Sequence, residues 1–329
     1  MKYLFPLICA ALVMGAAYSS PPPAWAGSCC GGGAATALVL PKGAQAMIDT
    51  SFDYEQYDGA WAMDDTYLHQ EQGTDQRQYR LNLGYALRLA PRWQTSVAVP
   101  YVWNINDSRT RSSRSSGLGD TMFSLWYEAF DSPMCRVGGD LSLEDLVPAA
   151  TFGLSLTFPT GISPYDDAES SYDITGRGFY RLDANMLLDK TIFPWSASLF
   201  LSYGTHKERP VNREYGRYVE PYRKKLGDRA AGTLAISYVQ YIDLAETRKI
   251  VTYTVSASEV WEGKGTAYGD RDQDSGLKKT TVAGTLAFST LDRVWTLKTT
   301  WNHSLMEYGW GRNTPASDIY SLGVTYVFK

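Results

Sequence analysis

The stretch "YRLNLGYALRL", Tyr79 to Leu89, alternates without a break. Its odd positions, Tyr79, Leu81, Leu83, Tyr85, Leu87 and Leu89, are all large and apolar. Its even positions are Arg80, Asn82, Gly84, Ala86 and Arg88. Successive side chains of a strand point to opposite faces, so this stretch has one wholly apolar face and one that carries charge. It is also long: strands of soluble sheets usually run about five or six residues. Which face meets solvent decides the fold.

The pattern repeats in both directions along the chain. Trp93, Val97, Val99, Tyr101, Trp103 and Ile105 share one side of the next segment, and Phe152, Leu154, Leu156 and Phe158 oppose Thr151, Gly153, Ser155 and Thr157. Twelve such segments fall near 44–57, 76–89, 92–105, 119–130, 147–158, 177–189, 193–205, 228–241, 248–260, 279–289, 293–304 and 317–328. No helical period competes with them. Alternate links are short, as at Ala90-Pro91-Arg92, Lys190-Thr191-Ile192, Leu244-Ala245-Glu246 and Leu291-Asp292. The others are long, polar and Gly-rich: 58–75, 106–118, 159–176, 206–227, 261–278 and 305–316. Short turns at one rim and long loops at the other describe an all-β, transmembrane, antiparallel up-and-down barrel. One link departs from this rule, the long stretch Asp131 to Leu146 that holds Cys135.

A soluble barrel or sandwich also alternates, with its apolar face buried. Three features favour apolar-out. The segments suit a tilted crossing of a bilayer. Aromatics gather toward segment ends on the apolar face, as with Trp93 and Trp103, Trp195 and Tyr203, and Trp295 and Trp301, which gives two interfacial belts. The polar face carries charges of both signs in mid-strand, able to pair across a lumen. Asp49, Asp53, Arg80, Arg88, Asp120, Glu128, Arg181, Asp183 and Lys298 are therefore the expected lumen-lining set.

Composition agrees. The 329 residues include 23 tyrosines, 10 tryptophans and 29 glycines, with a formal charge of −4 and no long basic run, which argues against nucleic acid as a partner. A mean hydropathy of −0.27 fits a barrel that shows lipid only every second residue. Residues 1–26 read as a secretory signal: Lys2, the apolar stretch Leu4 to Ala17, and Ala24-Trp25-Ala26 as a small-x-small cleavage site. Residues 27–43 then form a periplasmic N-terminal segment whose glycines suit a plug in the barrel mouth, and 44–329 form the barrel. Cys29, Cys30 and Cys135 remain after the signal. Two readings stand for them, a disulfide or free thiols in an oxidising compartment and a thiolate metal site, with lipidation of Cys29 a third. No other cofactor is expected.

Catalysis finds little purchase. Asn302-His303-Ser304 is the one His–Ser neighbourhood, and adjacent strand residues face opposite sides, which leaves His303 beside the aromatic belt and Ser304 inward. No G-x-S-x-G, H-E-x-x-H or phosphate-binding loop is present, so no enzyme is expected. Arg109, Arg111 and Arg114 make one loop basic, as Lys207, Arg209, Arg213, Arg217, Arg223, Lys224 and Lys225 do another. Asp64-Asp65, Asp166-Asp167-Ala168-Glu169 and the run Asp270 to Asp274 make others acidic. They read either as solvated loops that pair with each other or as a selective vestibule with bound cations and lipopolysaccharide.

Three short stretches, "VAVPYVW" (Val97 to Trp103), "GLGD" (Gly117 to Asp120) and "LTFPTG" (Leu156 to Gly161), occur in an order and spacing that resemble the outer-membrane barrels named as transporters of the phenol meta-cleavage pathway, distant relatives of fatty-acid and hydrocarbon channels. The resemblance implies an outer-membrane barrel that passes a small, often apolar or aromatic solute. It carries over no substrate or catalytic residues. The alternative from another class is a sealed scaffold barrel that docks a periplasmic or surface partner, with the cysteines as its metal site. The glycines and Pro159-Thr160-Gly161 read as architectural, and Pro100, at inward parity, predicts a local bulge or kink. The tail "SLGVTYVFK" places Tyr320, Leu322, Val324, Tyr326 and Phe328 on the lipid face. Its spacing, with Gly323, Tyr326 and Phe328, resembles the terminal strand signal read by the barrel assembly machinery, with Lys329 as a departure. Partners expected from all this are outer-membrane lipid, lipopolysaccharide, that machinery and a small solute, with both chain ends periplasmic.

Overall fold

The computed structural model describes residues 38–62, 66–70, 73–107, 112–130, 146–168, 170, 173–244, 247–311 and 314–329. Twelve strands make the wall: β1 (Ala46–Trp61), β2 (Asp75–Ala90), β3 (Trp93–Asp107), β4 (Thr121–Phe130), β5 (Ala149–Phe158), β6 (Arg181–Ile192), β7 (Trp195–His206), β8 (Arg229–Leu244), β9 (Thr247–Glu262), β10 (Leu277–Thr290), β11 (Trp295–Ser304) and β12 (Thr314–Phe328). Each pairs antiparallel with the next in sequence, and β12 returns to β1, so the sheet closes on itself. The closing ladder runs from Ala46↔Phe328 to Trp61↔Thr314, with one irregularity between Tyr57 and Gly59. It is one pair shorter than the longest interior ladder, that of β8 with β9. The described residues contain no α-helix, and none long and apolar enough to cross a membrane.

The alternation of the sequence maps onto two faces. Leu83, Tyr85, Leu87 and Leu89 point outward from β2, while Arg80 and Ala86 on the same strand are buried. Trp93, Trp103, Tyr203, Trp295 and Trp301 are all exposed on the outer surface. An outer face of Leu, Val, Phe and Trp on nearly every strand is one that water would not tolerate and a bilayer covers. Closure also leaves no strand edge to protect in the wall, which is what a lipid environment requires.

Links at one rim are short wherever they are described, as at Pro91-Arg92 and Phe193-Pro194. This end is called the turn rim. The loop rim at the other end holds more β-structure than its polar composition suggested. The basic stretch after β7 is a hairpin, Arg209–Glu214 with Arg217–Lys225, turned at Tyr215 (φ 46) and Gly216 (φ 72). Two successive positive φ values define the type I′ turn that matches strand twist. Thr266–Ala267 and Asp270–Arg271 extend this hairpin into a small four-stranded sheet beyond the wall. Tyr67–His69 adds to the end of β1, and Ser112–Leu118 pairs with the upper part of β3.

Pro100 departs from expectation. The β2–β3 ladder passes through Asn82↔Pro100 without a register shift. The irregularity lies on the other side of β3, where pairing with β4 ends at Ala98↔Met122 and pairing with Ser112–Leu118 begins at Tyr101↔Leu118. Proline removes one ladder donor. The neighbouring strand takes up the slack as an extra residue at Gly119-Asp120, and β3 keeps its register with β2.

Candidate functional site: the barrel lumen

Charges on the inward faces of β1, β2, β4 and β6 are paired with one another. Arg80 is 3% exposed and donates from Nη2 to Glu55 Oε2 at 2.7 Å, with Asp53 Oδ2 at 3.9 Å from its Nε. Ser317 donates to the other Glu55 oxygen at 2.7 Å, and Asn82 donates to Asp53 at 2.8 Å. Each buried carboxylate therefore has a donor, which is what makes its burial tolerable. Trp126, fully buried, lies against Gly153 of the next strand, where any side chain would collide with the indole ring.

Into this packed half comes the chain segment before β1. Leu38, Leu40 and Ala44 join Met47, Ala86, Ala98, Met122 and Val327 in one buried cluster inside the barrel, and Val39 packs against Trp126, Leu187 and Phe200. Leu38 fills the space a side chain would occupy at Gly84. The polar partners are equally specific. The Leu40 N–H donates to Gln94 Oε1, Gln94 Nε2 donates to Glu128 Oε1 at 2.8 Å, and Arg88 donates to Glu128 at 2.9 Å and to the Ala44 carbonyl at 2.8 Å. Arg88 and Glu128 thus hold the segment in place.

A second insertion comes from the loop rim. The link between β5 and β6 folds inward, burying Ile174, Thr175 and Phe179. It is latched by the residues of the three familiar stretches. Thr160 Oγ1 donates to the Gly119 carbonyl at 2.6 Å, and Gly119 N–H donates to the Pro100 carbonyl at 2.8 Å. The Asp120 carboxylate accepts the Gly161 N–H at 3.2 Å and the Arg177 N–H at 2.7 Å. Thr175 Oγ1 reaches the Leu118 carbonyl at 2.6 Å. Gly161 and Gly176 touch backbone to backbone, an approach no Cβ would allow. From this latch the Arg177 guanidinium extends to β9 and forms a two-pronged ion pair with Glu262, the Nη2–Oε1 arm at 2.6 Å. Fork-to-carboxylate pairing is among the strongest polar contacts available to a side chain.

The remaining wall is smooth. The inward residues of β8 to β12 are mostly Ala, Ser and Thr, and between this wall and the N-terminal segment lies a cavity of about 740 Å³. It runs from Asp292, Arg293 and Lys329 at the turn rim to Asn302. Lys298 crosses to Asp49 at 2.7 Å within it. Asn302, Ser198 and Ser321 line this cavity, and buried polar atoms of all three lack a hydrogen-bond partner among the described residues. For Asn302, 2% exposed, that is true of both Oδ1 and Nδ2.

The expected lumen set divides in use. Asp53, Arg80, Glu128 and Lys298 border the cavity, Asp49 pairs with Lys298, and Arg88 clamps the segment. Asp120 is the latch acceptor, and Arg181 with Asp183 forms a pair at 2.8 Å near the loop rim. Glu55, Arg177, Arg229 and Glu262 belong with them but were missed. Glu55 shares the parity of Asp53, whereas Arg177, at the start of the expected 177–189 strand, sits in the link before β6, which begins only at Arg181. Gly323 faces Lys298, and Tyr326 meets the Trp295 ring at a tilt and the Phe328 ring edge-on, with ring centres 4.6 Å apart in each case. Cys29, Cys30 and Cys135 lie outside the described residues, as do the signal and residues 27–37. Ser304 donates inward to the Ser317 carbonyl at 3.0 Å while His303 meets Asp318 at 3.1 Å, so the His and Ser do not meet.

At the loop rim the basic hairpin meets the acidic loops, Arg213 pairing with Asp167 and Lys224 with Asp272 at 3.1 Å, while Arg223 pairs with Glu208 at the hairpin's own base at 2.6 Å. Burial and the hydrogen bond to Glu214 push the Tyr222 phenol up from its ordinary value. The Thr205 hydroxyl, donating at 2.7 Å, holds the Asp228 carboxyl below the usual range, with Tyr203 and Lys225 adding to it.

No family model matches this sequence, and no curated protein matches it. Among solved structures the chain is similar to an outer membrane channel from Pseudomonas putida F1, with 14% identity, 88% of this chain and 97% of that chain covered, and a TM-score of 0.62. The β domain of the Bordetella autotransporter BrkA (13% identity, 87% and 100% covered, TM-score 0.45) and the NanC porin (11%, 85% and 98%, TM-score 0.44) align more loosely. At such identity the likeness speaks for the fold: a closed twelve-stranded barrel of the kind found in bacterial outer membranes.

Proposed function

We propose that this barrel sits in the outer membrane with both ends on the periplasmic side and gives passive, selective passage to a small solute. One observation carries the reading. The lumen is filled by two segments that are not part of the wall, Leu38 to Ala44 from the turn rim and the latched β5–β6 link from the loop rim. A twelve-stranded wall leaves room for such fillings without collapsing. The cavity beside them has the chemistry of an amphipathic guest. Val39, Leu40, Leu187 and Ile250 offer one apolar side, and Asn302, Ser198 and Ser321 offer unspent hydrogen-bonding groups. A small ring or chain that carries a hydroxyl or carboxamide fits both, consistent with the apolar or aromatic cargo that the sequence resemblance implies. Lipid and lipopolysaccharide surround the wall, and the Gly323, Tyr326 and Phe328 pattern serves as its insertion signal.

The test is planar-bilayer recording with a parallel solute-flux assay on the full protein and on a chain lacking residues 27–41. The full protein gives small or intermittent currents, and the deletion raises them. Asn302→Leu lowers flux of a hydroxylated aromatic more than flux of its unsubstituted ring. Silence in both chains, by current and by flux, overturns the channel and leaves the sealed scaffold barrel.

A further inference from the structure

The outer surface of the closing seam carries a group of side chains that the lumen does not use. Asp58 sits at the one irregularity of the β1–β12 ladder, between Tyr57 and Gly59. His303 of β11 and Asp318 of β12 are paired in register beside it. One ligand-type atom from each of Asp58, His303 and Asp318 lies within 4.8 Å of the other two. His303 Nδ1 is 3.1 Å from Asp318 Oδ1. Ligands about 2.0–2.2 Å from one zinc-sized ion stand roughly 3.0–3.5 Å apart, so this pair is already at chelating separation.

The surroundings are those of a held site. The Trp301 indole N–H donates to Asp318 Oδ1 at 2.7 Å, and the Trp301 ring lies at 28° to the His303 ring with centres 5.9 Å apart. Both ligand planes are thereby oriented from outside the cluster, the usual role of outer-shell partners. His303 and Asp318 are half-buried, with side chains 32% and 25% exposed. The Asp58 carboxylate, by contrast, receives no hydrogen bond among the described residues, although Asp318 stands close by with the same charge. Lys279 and His69 are its other charged or chargeable neighbours. Tyr67, whose phenol oxygen abuts Gly59, leaves that buried oxygen without a hydrogen-bond partner. A bound ion answers the first deficit, because it neutralises the two neighbouring carboxylates.

We infer that Asp58, His303 and Asp318 form a binding site for a divalent transition-metal ion on the outer face of the barrel, stapling β1 to β11 and β12. One imidazole with two carboxylates suits a zinc-class ion and disfavours the hard, oxygen-seeking magnesium and calcium. The position gives the ion a structural task. It straddles the only ladder that joins the first strand to the last.

The experiment uses the full chain in detergent micelles with C29S, C30S and C135S introduced, so that thiols contribute nothing. Zinc is titrated by calorimetry, and cobalt is titrated by its visible absorption. Saturable zinc binding is expected, insensitive to millimolar magnesium, with a cobalt band characteristic of nitrogen–oxygen ligation. D58N, H303A and D318N each weaken zinc binding by about tenfold or more, and Trp301→Phe, which touches no ion, weakens it about tenfold. Zinc raises the unfolding temperature of the parent and not of H303A. Heat-modifiable gel mobility confirms that each variant is a folded barrel. Absence of saturable zinc binding in the folded parent, or binding that H303A leaves unchanged, overturns the site.

Discussion

The two halves of the wall solve the same problem differently. Strands β1 to β7 carry the paired charges, Trp126 and the contacts to an inserted chain segment, while β8 to β12, lined mostly with Ala, Ser and Thr, form the larger part of a cavity that residues of the first half also border. The difference shows that a barrel's interior need not be uniform to be stable. One side holds the structure together, and the other is free to be shaped by what passes along it. Substitutions that would erase this division should therefore act on stability in one half and on traffic in the other.

The largest expected effect is at Arg80. Arg80→Ala leaves Glu55 and Asp53 buried without their guanidinium partner and should cost about 3–5 kcal/mol, read by denaturant unfolding in micelles. Thr285→Ala, at the corresponding depth in the smooth half, should fall within about 0.5 kcal/mol; a comparable loss at both sites would erase the distinction. Gly153→Val drives a side chain into Trp126 and should cost about 1–3 kcal/mol, with slower formation of the heat-resistant barrel. Next comes Thr285→Trp, which fills the cavity instead of weakening the wall. It should abolish solute flux while moving stability by less than about 1 kcal/mol, and undiminished flux would show that solutes do not use this side.

The smallest effect lies where the halves meet. Asp228 accepts from Thr205 and Tyr203 at the top of β7, and its carboxyl is held below the ordinary value. A depressed carboxylate favours the folded state above its unfolded pKa and loses that contribution as pH falls through the folded value. Melting temperatures taken from pH 6 down toward pH 3 should therefore converge between the parent and Asp228→Asn, since the parent alone sheds this contribution (about four is the ordinary carboxylate range). A gap that widens on acidification would contradict the assignment.

Much of this was readable from the chain. Alternation of period two gave the strands, their faces and the inward charges, because a side chain's face follows from parity alone. What parity cannot give is the third dimension of an irregular segment. Leu38 reaches Gly84 through backbone that has no period, so that contact has no signature, while Arg177, of the same parity as Arg181 and Asp183, reaches Glu262 from a link that alternation reads as the start of a strand. The hairpin after β7 was legible in principle. "EYGR", Glu214 to Arg217, places a glycine at the second turn position, but the density of lysine and arginine around it reads as a solvated basic loop. Pro100 taught a further lesson. A proline in a strand predicted a local defect, and the defect appeared one chain over, because the neighbour with a glycine deforms more cheaply than the strand with the rigid ring.

The latch at the loop rim bears on how such a barrel can be re-engineered. Its parts come from three separate stretches, Pro100, Gly117 to Asp120, and Phe158 to Gly161, yet they bond to one another and to a single inserted link. That link is therefore not a module. A graft that exchanged residues 162–178 with another barrel's loop, while keeping the host's own strands, would arrive without the acceptors that seat it. Carrying Gly119, Asp120, Thr160 and Gly161 along with the loop, as one discontinuous unit, is the smallest transplant the geometry permits.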